Sequence, residues 1–285
     1  NIGLEAIRFE AVIESFISDE HPQHPVRIES CRNFWVRQVV GQYFRDFLVK
    51  TTGTSIFGTI EDSANIHQVA PLSGLARSCF GIDGPQNLLL QRLYSYNNQR
   101  FIQTGSGTPG PNAFVDMRGD RSSGSSGPHL GWAKGHLYDN VKTTHRLEVR
   151  NRGEGGRSGH GWTGVTMMLW NCHALAVICD APVGAQSYSV GCIGPLKDGY
   201  ALKAKQPQGI IESHGNNVTP RSLYYTQLRD RVGWGGLKDV ILPAQAAGQI
   251  WSPLYDWNGD GLFGPRVVAW SNREFADGPV NLKAR

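Results

Sequence analysis

The chain has 285 residues, a formal net charge of +4 and a charged fraction of 18%, which is low for a cytosolic domain. This length can bury a sizeable core, either as one long domain or as two ordinary ones. No apolar run reaches membrane-spanning length, which argues against a transmembrane helix. The 35 glycines are spread along the whole chain, and this favours many turns over long helices.

The cysteines do not indicate a metal site or a complete set of disulfides. They are odd in number and lack the CxxC spacing of a metal site: Cys31, Cys79, Cys172, Cys179 and Cys192. At least one is therefore unpaired, and small buried thiols are the ordinary interpretation. The chain begins at Asn1 without an initiator methionine or a signal peptide, so we expect a processed product or part of a longer polypeptide.

Short apolar segments dominate the chain from its start. Residues 2–17 mix apolar and polar residues in a way that fits either a helix or two short strands, and the alternation of Ile, Val and Phe with polar neighbours favours strands. Short apolar bursts follow at 26–28, 34–36, 47–49 and 56–60. Many bursts end in polar or Asn-containing corners, at 29–33, 61–65, 83–87, 94–98, 139–140 and 170–172. Short strands with polar corners and a loose period of about 20–30 residues are typical of a solenoid.

The pattern predicts an all-β fold, namely a right-handed parallel β-helix over residues 1–215 with aliphatic and cysteine side chains stacked inward. Hairpin spacing is lacking, and no helices of about 10–15 residues separate the strands, which disfavours sandwich and doubly wound folds. Two Gly- and Ser-rich loops, 103–128 and 153–161, are predicted to form the walls of a groove.

Residues 216–285 lose this rhythm and are predicted to form a short helix and an irregular cap packed on the solenoid. Thr219 suits the N-cap, Pro220 the first turn and Gly233 the end of the helix. The apolar stripe is Leu223, Leu228 and Val232. We expect this helix to shield the open edge of the last coil.

One segment of the tail resembles the start of a calcium-binding loop. Asp256, Asn258 and Asp260 alternate in DWNGDG, but Val267 stands where a calcium loop needs a bidentate Glu. Two successive turns explain the segment better. We therefore predict no metal and no other cofactor.

The segment 118–160 holds the excess positive charge of the chain. It contains eight Lys and Arg residues against four Asp and Glu residues, a net charge of +4, so the remaining residues balance to zero. Histidines and tryptophans are also concentrated here. Cations, imidazoles and flat aromatic faces together predict a site for an anionic ligand that contains rings. The alternative is a solvated basic surface with tryptophans in the core.

Several segments resemble a known superfamily: FWVRQVVGQYF, GPNAFVDM, SGPHLGWAKGHLYDNV, VRNRGEGGRSGHGWTG and MLWNC. The chain is similar over roughly residues 2–230 to secreted bacterial right-handed parallel β-helix proteins of the pectate-lyase-like superfamily. The resemblance implies an extracellular or cell-surface protein that acts on or binds polysaccharide. Two departures stand out, because Leu130 and Gly131 follow His129 where the relatives continue with His and Arg, and Gln99-Arg100-Phe101 replaces an Arg-His-Asp-Phe element.

β-Elimination of a uronate polysaccharide is the activity that we favour. Arg146, Arg150 and Arg152 lie at even spacing in HRLEVRNR, so on a strand they share one face and can clamp carboxylates. The alternative is a solvated face paired with acids on neighbouring coils. His160, between two glycines, is the first candidate for the general base, and His129 is the second.

Three aromatic residues complete the predicted site. Tyr138 is a candidate proton donor to the leaving oxygen, unless it is packed. Trp132 and Trp162 are candidates for stacking on sugar faces, although core packing suits either of them equally well.

Other functions remain open from the sequence. A non-catalytic polysaccharide-binding, adhesin or fibre protein on the same fold is the main alternative, and the two departures favour it. A polygalacturonase-like hydrolase is second, since GHG occurs there too, but it needs convergent carboxylates, for which Glu61, Asp62, Asp116 and Asp139 are available. Nucleic acid is disfavoured as a partner because no nucleic-acid motif is present. The sequence leaves the oligomeric state undetermined.

Overall fold

The computed structural model describes residues 1–71, 76–153 and 160–246, and most of their regular structure is β-strand. The strands of the first hundred residues are β1 (Ile2–Glu10), β2 (Val26–Glu29), β3 (Arg32–Gln42), β4 (Val49–Thr52), β5 (Ile56–Ile66), β6 (Ser78–Asp83), β7 (Gln86–Tyr96) and β8 (Arg100–Thr104). The central strands are β9 (Asn112–Val115), β10 (Arg118–Asp120), β11 (Gly127–Pro128), β12 (Ala133–Lys134), β13 (His136–Asp139), β14 (Lys142–Val149), β15 (Gly164–Val165), β16 (Met168–Trp170) and β17 (His173–Cys179). The last strands are β18 (Tyr188–Val190), β19 (Tyr200–Ala201), β20 (Ala204–Lys205) and β21 (Ile210–Glu212).

Pairing is parallel throughout the two large sheets. The larger sheet has the order β1-β3-β5-β7-β9-β13-β16-β18-β21, with β10, β14 and β17 on a second branch, and the smaller has the order β11-β8-β6-β4-β2. Paired residues lie between 20 positions apart (Met168 beside Tyr188) and 32 positions apart (Ile2 beside Phe34). Each segment thus returns beside the one before it, which is compatible with a solenoid.

The predicted corners are confirmed by the backbone. Each of the six contains at least one non-glycine residue with positive φ, and these residues are Ser30, Asn33, Asp62, Asn87, Asn97, Asn140 and Asn171. This left-handed conformation is costly for most side chains and is tolerated best by Asn and Asp. Polar residues therefore recur at these places because a single such residue can turn a strand sharply without leaving the sheet.

One set of corner residues is aligned across the larger sheet. The register places Asp62, Arg92, Asp116, Asn140 and Asn171 at equivalent positions, and all five have positive φ. We call this set the polar column. It explains why β5 and β7 are longer than the predicted bursts, because each continues through the bend instead of ending at it.

The core lies between the sheets and is formed by inward-facing aliphatic and aromatic side chains. Phe80 and Phe101 meet edge to face at 5.9 Å between ring centroids, and Phe114 stacks on Tyr138 at 4.8 Å. Burying one large apolar side chain stabilises a fold by roughly 1.5–3 kcal/mol. As predicted, cysteines join this core: Cys79, Cys172, Cys179 and Cys192 are buried, and all five cysteines are free thiols.

The predicted loop 103–128 is not one loop, because it contains β9, β10 and β11. Apolar residues hidden among its glycines and serines, such as Phe114, form strands in the core. The second predicted loop, 153–161, lies mostly outside the described residues, and so does the segment with Asp256.

Helix α1 (Leu223–Lys238) differs from its prediction in where it begins and where it ends. Its N-cap is Ser222, whose hydroxyl accepts a hydrogen bond from the Tyr225 amide at 3.1 Å, so Thr219 is not the cap. Gly233 interrupts the helix with φ of 73°, as its predicted role requires, but a further helical segment continues to Lys238.

The position of α1 also differs from the prediction. Its apolar side chains Tyr225, Leu228 and Leu237 pack with Leu89 and Val115, beside β7 and β9. The helix therefore covers the flank of the middle strands and not the edge of the last coil. A short helix, α2 (Pro243–Ala246), follows. Within the described ranges, no helix has the length and apolarity needed to cross a membrane.

Candidate functional site

The basic segment predicted from the sequence folds into a cluster at one side of the sheets. We call it the basic cluster and define it by Arg100, His129, Glu148, Arg150, Arg152 and His160. Arg100 begins β8, His129 follows β11, and Glu148 lies near the end of β14. The remaining members lie on two segments that pair in antiparallel fashion, since Asn151 bridges Trp162 and the Arg152 amide donates to the Gly161 carbonyl at 2.7 Å.

The arginines surround one buried carboxylate. The Arg152 guanidinium donates to Glu148 Oε1 at 2.6 Å, and Arg150 Nε lies 3.0 Å from the same oxygen. Glu148 is only 1% exposed. Arg100 interacts electrostatically with both Glu148 and Asp46, so three guanidiniums share two carboxylates and positive charge is in excess. Burial lowers the pKa of Arg152, and Glu148 partly offsets this.

The two candidate histidines are neighbours in space. The rings of His129 and His160 are 5.2 Å apart between centroids. Burial, together with the positive field of Arg152 and Arg100, lowers the pKa of His129 to about 3. The same three causes lower the pKa of the more accessible His160. Both imidazoles are therefore neutral at pH 7.

Four buried polar atoms of the cluster lack hydrogen-bond partners among the described residues. They are His129 Nδ1, Glu148 Oε2, Arg150 Nε and Arg152 Nε. Arg150 Nε is within ion-pair distance of Glu148 Oε1 but does not have hydrogen-bond geometry towards it. An unpaired polar atom in a protein interior costs roughly 1–3 kcal/mol. Such atoms in one charged cluster are typical of a site that a ligand or water completes.

The tryptophans lie on adjacent segments beside the histidines. The Trp132 amide donates to the Trp162 carbonyl at 2.7 Å. Trp132 is 50% exposed and Trp162 is half-buried, so neither is a core residue. Gly131 lies close beneath them, because a Cβ at this position would stand 2.9 Å from the His160 carbonyl oxygen. A residue without a side chain is needed here to keep the two segments together.

Two predicted site residues lie outside the cluster. Tyr138 is fully buried in the core, stacked on Phe114, and burial raises the pKa of its hydroxyl. It cannot deliver a proton to a surface-bound sugar. Arg146 is exposed on β14, while Arg150 and Arg152 lie beyond the end of that strand. The three arginines therefore do not form one outward row.

The carboxylates needed for hydrolysis are engaged elsewhere. Asp116 receives two hydrogen bonds from Arg221, at 2.7 and 3.1 Å. Asp139 accepts from the Ser222 hydroxyl at 2.7 Å and from the Tyr224 amide at 2.8 Å. These contacts fix residues 218–245, which we call the C-terminal arm, to the polar column.

Arg92 completes this attachment. It is 0% exposed, donates to Asp62 at 2.5 and 3.0 Å and to Glu61 at 2.6 Å, and reaches the Val240 carbonyl at 3.0 Å. Glu61, Asp62, Asp116 and Asp139 thus have structural partners.

Sequence reasoning missed two members of the basic cluster. The sequence pattern identifies neither Arg100 nor Glu148 as a site residue. The one available indication for Glu148 was its position in HRLEVRNR, within four residues of both Arg150 and Arg152. No group of three or more metal-binding side chains occurs in the ranges that the structure describes.

The chain matches no known family model, no curated protein and no solved structure. Its architecture is mostly parallel β-sheet, compatible with a solenoid.

Proposed function

We propose that this protein is a right-handed parallel β-helix, exported to the cell surface or beyond, that binds an acidic, uronate-containing polysaccharide at the basic cluster. The main support is the arrangement of Arg100, Arg150 and Arg152 near Glu148, next to two neutral imidazoles, with Asp46 as a further electrostatic partner of Arg100. The excess of guanidinium groups suits an additional carboxylate, which a uronate ring supplies.

β-Elimination is the chemistry that we propose for this site. The arginines would neutralise the uronate carboxylate and so acidify the proton on C5. His160, accessible and neutral, would take that proton, the C4–C5 double bond would form and the C4–O4 bond would break. Tyr138 is unavailable as the acid, so the imidazolium of His160 would return its proton to the departing O4.

Substrate binding would prepare His160 for this role. Burial and then the field of Arg152 and Arg100 hold the imidazole pKa low, which makes it a weak base in the free protein. A bound carboxylate would cancel part of that field and raise the pKa towards its ordinary value. The base would therefore strengthen only when a uronate occupies the site.

A non-catalytic binding protein on the same fold is the second candidate. Two observations favour it. Arg150 and Arg152 already share Glu148, and Tyr138 lies in the core. Both observations weaken the case for catalysis without weakening the case for anion binding.

The test uses purified protein and a panel of uronate polymers, with the ultraviolet absorbance of the unsaturated product measured alongside binding. We expect a rise in absorbance that His160→Ala abolishes, and weaker binding for Arg152→Ala. Arg27→Ala is the matched control, because that arginine forms an exposed ion pair with Glu29 on β2, at the opposite edge of the smaller sheet from β11. Binding without any absorbance change assigns the protein to the second candidate, and a lack of binding by every polymer rejects both.

A further inference from the structure

A stripe of aromatic residues runs across four adjacent strands at another corner of the sheets. Tyr43 follows β3, His67 follows β5, Tyr96 ends β7, and Arg121 follows β10. The register connects them, because Gln42 lies beside Ile66, Ile66 beside Tyr96, and Tyr96 beside Asp120. Phe16 extends the stripe at one end, and we call the five residues the aromatic stripe.

The members contact each other in sequence. Phe16 meets Tyr43 at 6.4 Å, Tyr43 meets His67 at 6.4 Å, and His67 meets Tyr96 at 5.7 Å, all between ring centroids. The Arg121 guanidinium lies 5.6 Å from the Tyr96 ring centroid and donates to the Tyr96 hydroxyl at 2.9 Å. Neighbouring strands are about 4.8 Å apart, so the four strand positions span about 14 Å.

The stripe is accessible and mixed in character. Phe16 is 68% exposed, Arg121 is exposed, and the three rings between them are half-buried. Two of the ring contacts are edge to face, so polar ring edges alternate with apolar faces. A sugar chain offers the matching alternation of apolar C–H faces and hydroxyl groups, whereas a purely apolar partner does not.

The charges beside the stripe favour an acidic sugar chain. Arg121 and Arg146 are both exposed and lie on adjacent coils, which the Ser122 amide joins by donating to the Thr144 hydroxyl at 2.9 Å. Asp120, the residue before Arg121, accepts a hydrogen bond from Arg118 at 2.8 Å. A uronate carboxylate over this end of the stripe would therefore meet guanidinium groups.

The stripe lies close to one member of the basic cluster. Tyr96 precedes Arg100 by four residues, so their Cα atoms are at most about 14 Å apart even for a fully extended chain. This distance is comparable to the length of the stripe itself.

We propose that the aromatic stripe is an accessory binding track for an acidic glycan, which extends the basic cluster and gives it a preference for long chains. This inference rests on the proposed function, since both sites would hold the same polymer. The stripe is long enough for a stretch of several sugar rings, and the cluster holds the ring whose carboxylate pairs with the arginines.

The test compares a trisaccharide with an octasaccharide, prepared from polygalacturonate and from alginate, by calorimetric titration. The octasaccharide is expected to bind more tightly, and Tyr96→Ala and Phe16→Ala are each expected to weaken it about three- to tenfold without affecting the trisaccharide. Tyr96→Phe keeps the ring and should retain most of the affinity. Phe57→Ala is the control, because Phe57 is another exposed corner aromatic with an arginine, Arg32, 5.2 Å from its ring.

The two proposals fail in different ways. Equal affinity for both lengths, together with an unaffected Tyr96→Ala and a strong loss in Arg152→Ala, overturns the track and leaves the cluster. Lack of binding at either length rejects the proposed function, and the track with it. Circular dichroism of each variant distinguishes lost contacts from lost folding.

Discussion

Arg92 gives the most direct test of how the C-terminal arm is held. Its guanidinium is completely buried and binds Asp62, Glu61, the Val240 carbonyl and the Gln245 side chain. Arg92→Met would leave Asp62 buried without its cation. Removing one partner of a buried ion pair costs about 3–5 kcal/mol, so we expect the free energy of unfolding to fall by that amount. Arg27→Met, which breaks an exposed pair with Glu29, should cost less than about 1 kcal/mol.

Urea unfolding followed by tryptophan fluorescence measures this difference. Trp170 is a suitable reporter because its indole N–H donates to the Pro220 carbonyl on the arm at 2.9 Å. The double variant Arg92→Met with Asp62→Leu removes both charges and should recover part of the loss. A change below about 1 kcal/mol for Arg92→Met, or no recovery in the double variant, would show that this ion pair does not hold the arm.

Three further predictions concern protonation and close packing. Burial lowers the pKa of His136 to about 3, so below pH 6.5 the unfolded chain binds a proton that the folded chain does not bind. The free energy of unfolding should therefore fall as the pH drops from 6.5 towards 3. His136→Asn should make this fall smaller, which the midpoints of urea unfolding at each pH would show. Burial and the neighbouring arginines hold the pKa of His160 below its ordinary value, so the binding of a uronate near pH 6 should be accompanied by uptake of a proton. The binding enthalpy measured by calorimetry should then differ between buffers of different ionisation enthalpy. His160→Ala should reduce this difference. Gly131→Ala should weaken uronate binding without unfolding the protein, because its Cβ would press on the His160 carbonyl. Gly235→Ala should have no effect on binding, because the space around Gly235 is open. Equal affinities of the two variants would contradict the proposed role of Gly131.

The corners were predictable from the sequence because the backbone imposes a local chemical requirement there. Asn140 and Asn171 occupy left-handed conformations that few side chains tolerate, so their residue types identify the bends without any knowledge of the fold. The predicted period rests on the same effect. Strand lengths were less accessible, since β5 and β7 continue through Asp62 and Arg92 instead of stopping there.

The site was only partly predictable because burial depends on contacts between strands that are neighbours in space but distant in sequence. Even spacing placed Arg146, Arg150 and Arg152 on one face, but β14 ends at Val149 and the chain then pairs with the segment after His160. Tyr138 looks like a surface residue among polar neighbours. Its strand faces Phe114 on the preceding coil, 24 positions earlier, and no local pattern shows that contact.

Acidic and basic side chains are distributed unevenly between the C-terminal arm and the proposed glycan site. The acids of the polar column are neutralised beneath the C-terminal arm, where Arg92 and Arg221 already pair with them. The remaining basic residues lie elsewhere, with Arg121 and Arg146 exposed and Arg150 and Arg152 sharing one glutamate. A modest net charge of +4 therefore becomes a local positive field, because the structure hides acidic side chains with their partners and leaves cations in excess at the proposed glycan site. Loosening the arm should expose those acids and weaken anion binding from a distance, so Arg92→Met should reduce uronate affinity even though Arg92 lies outside the basic cluster.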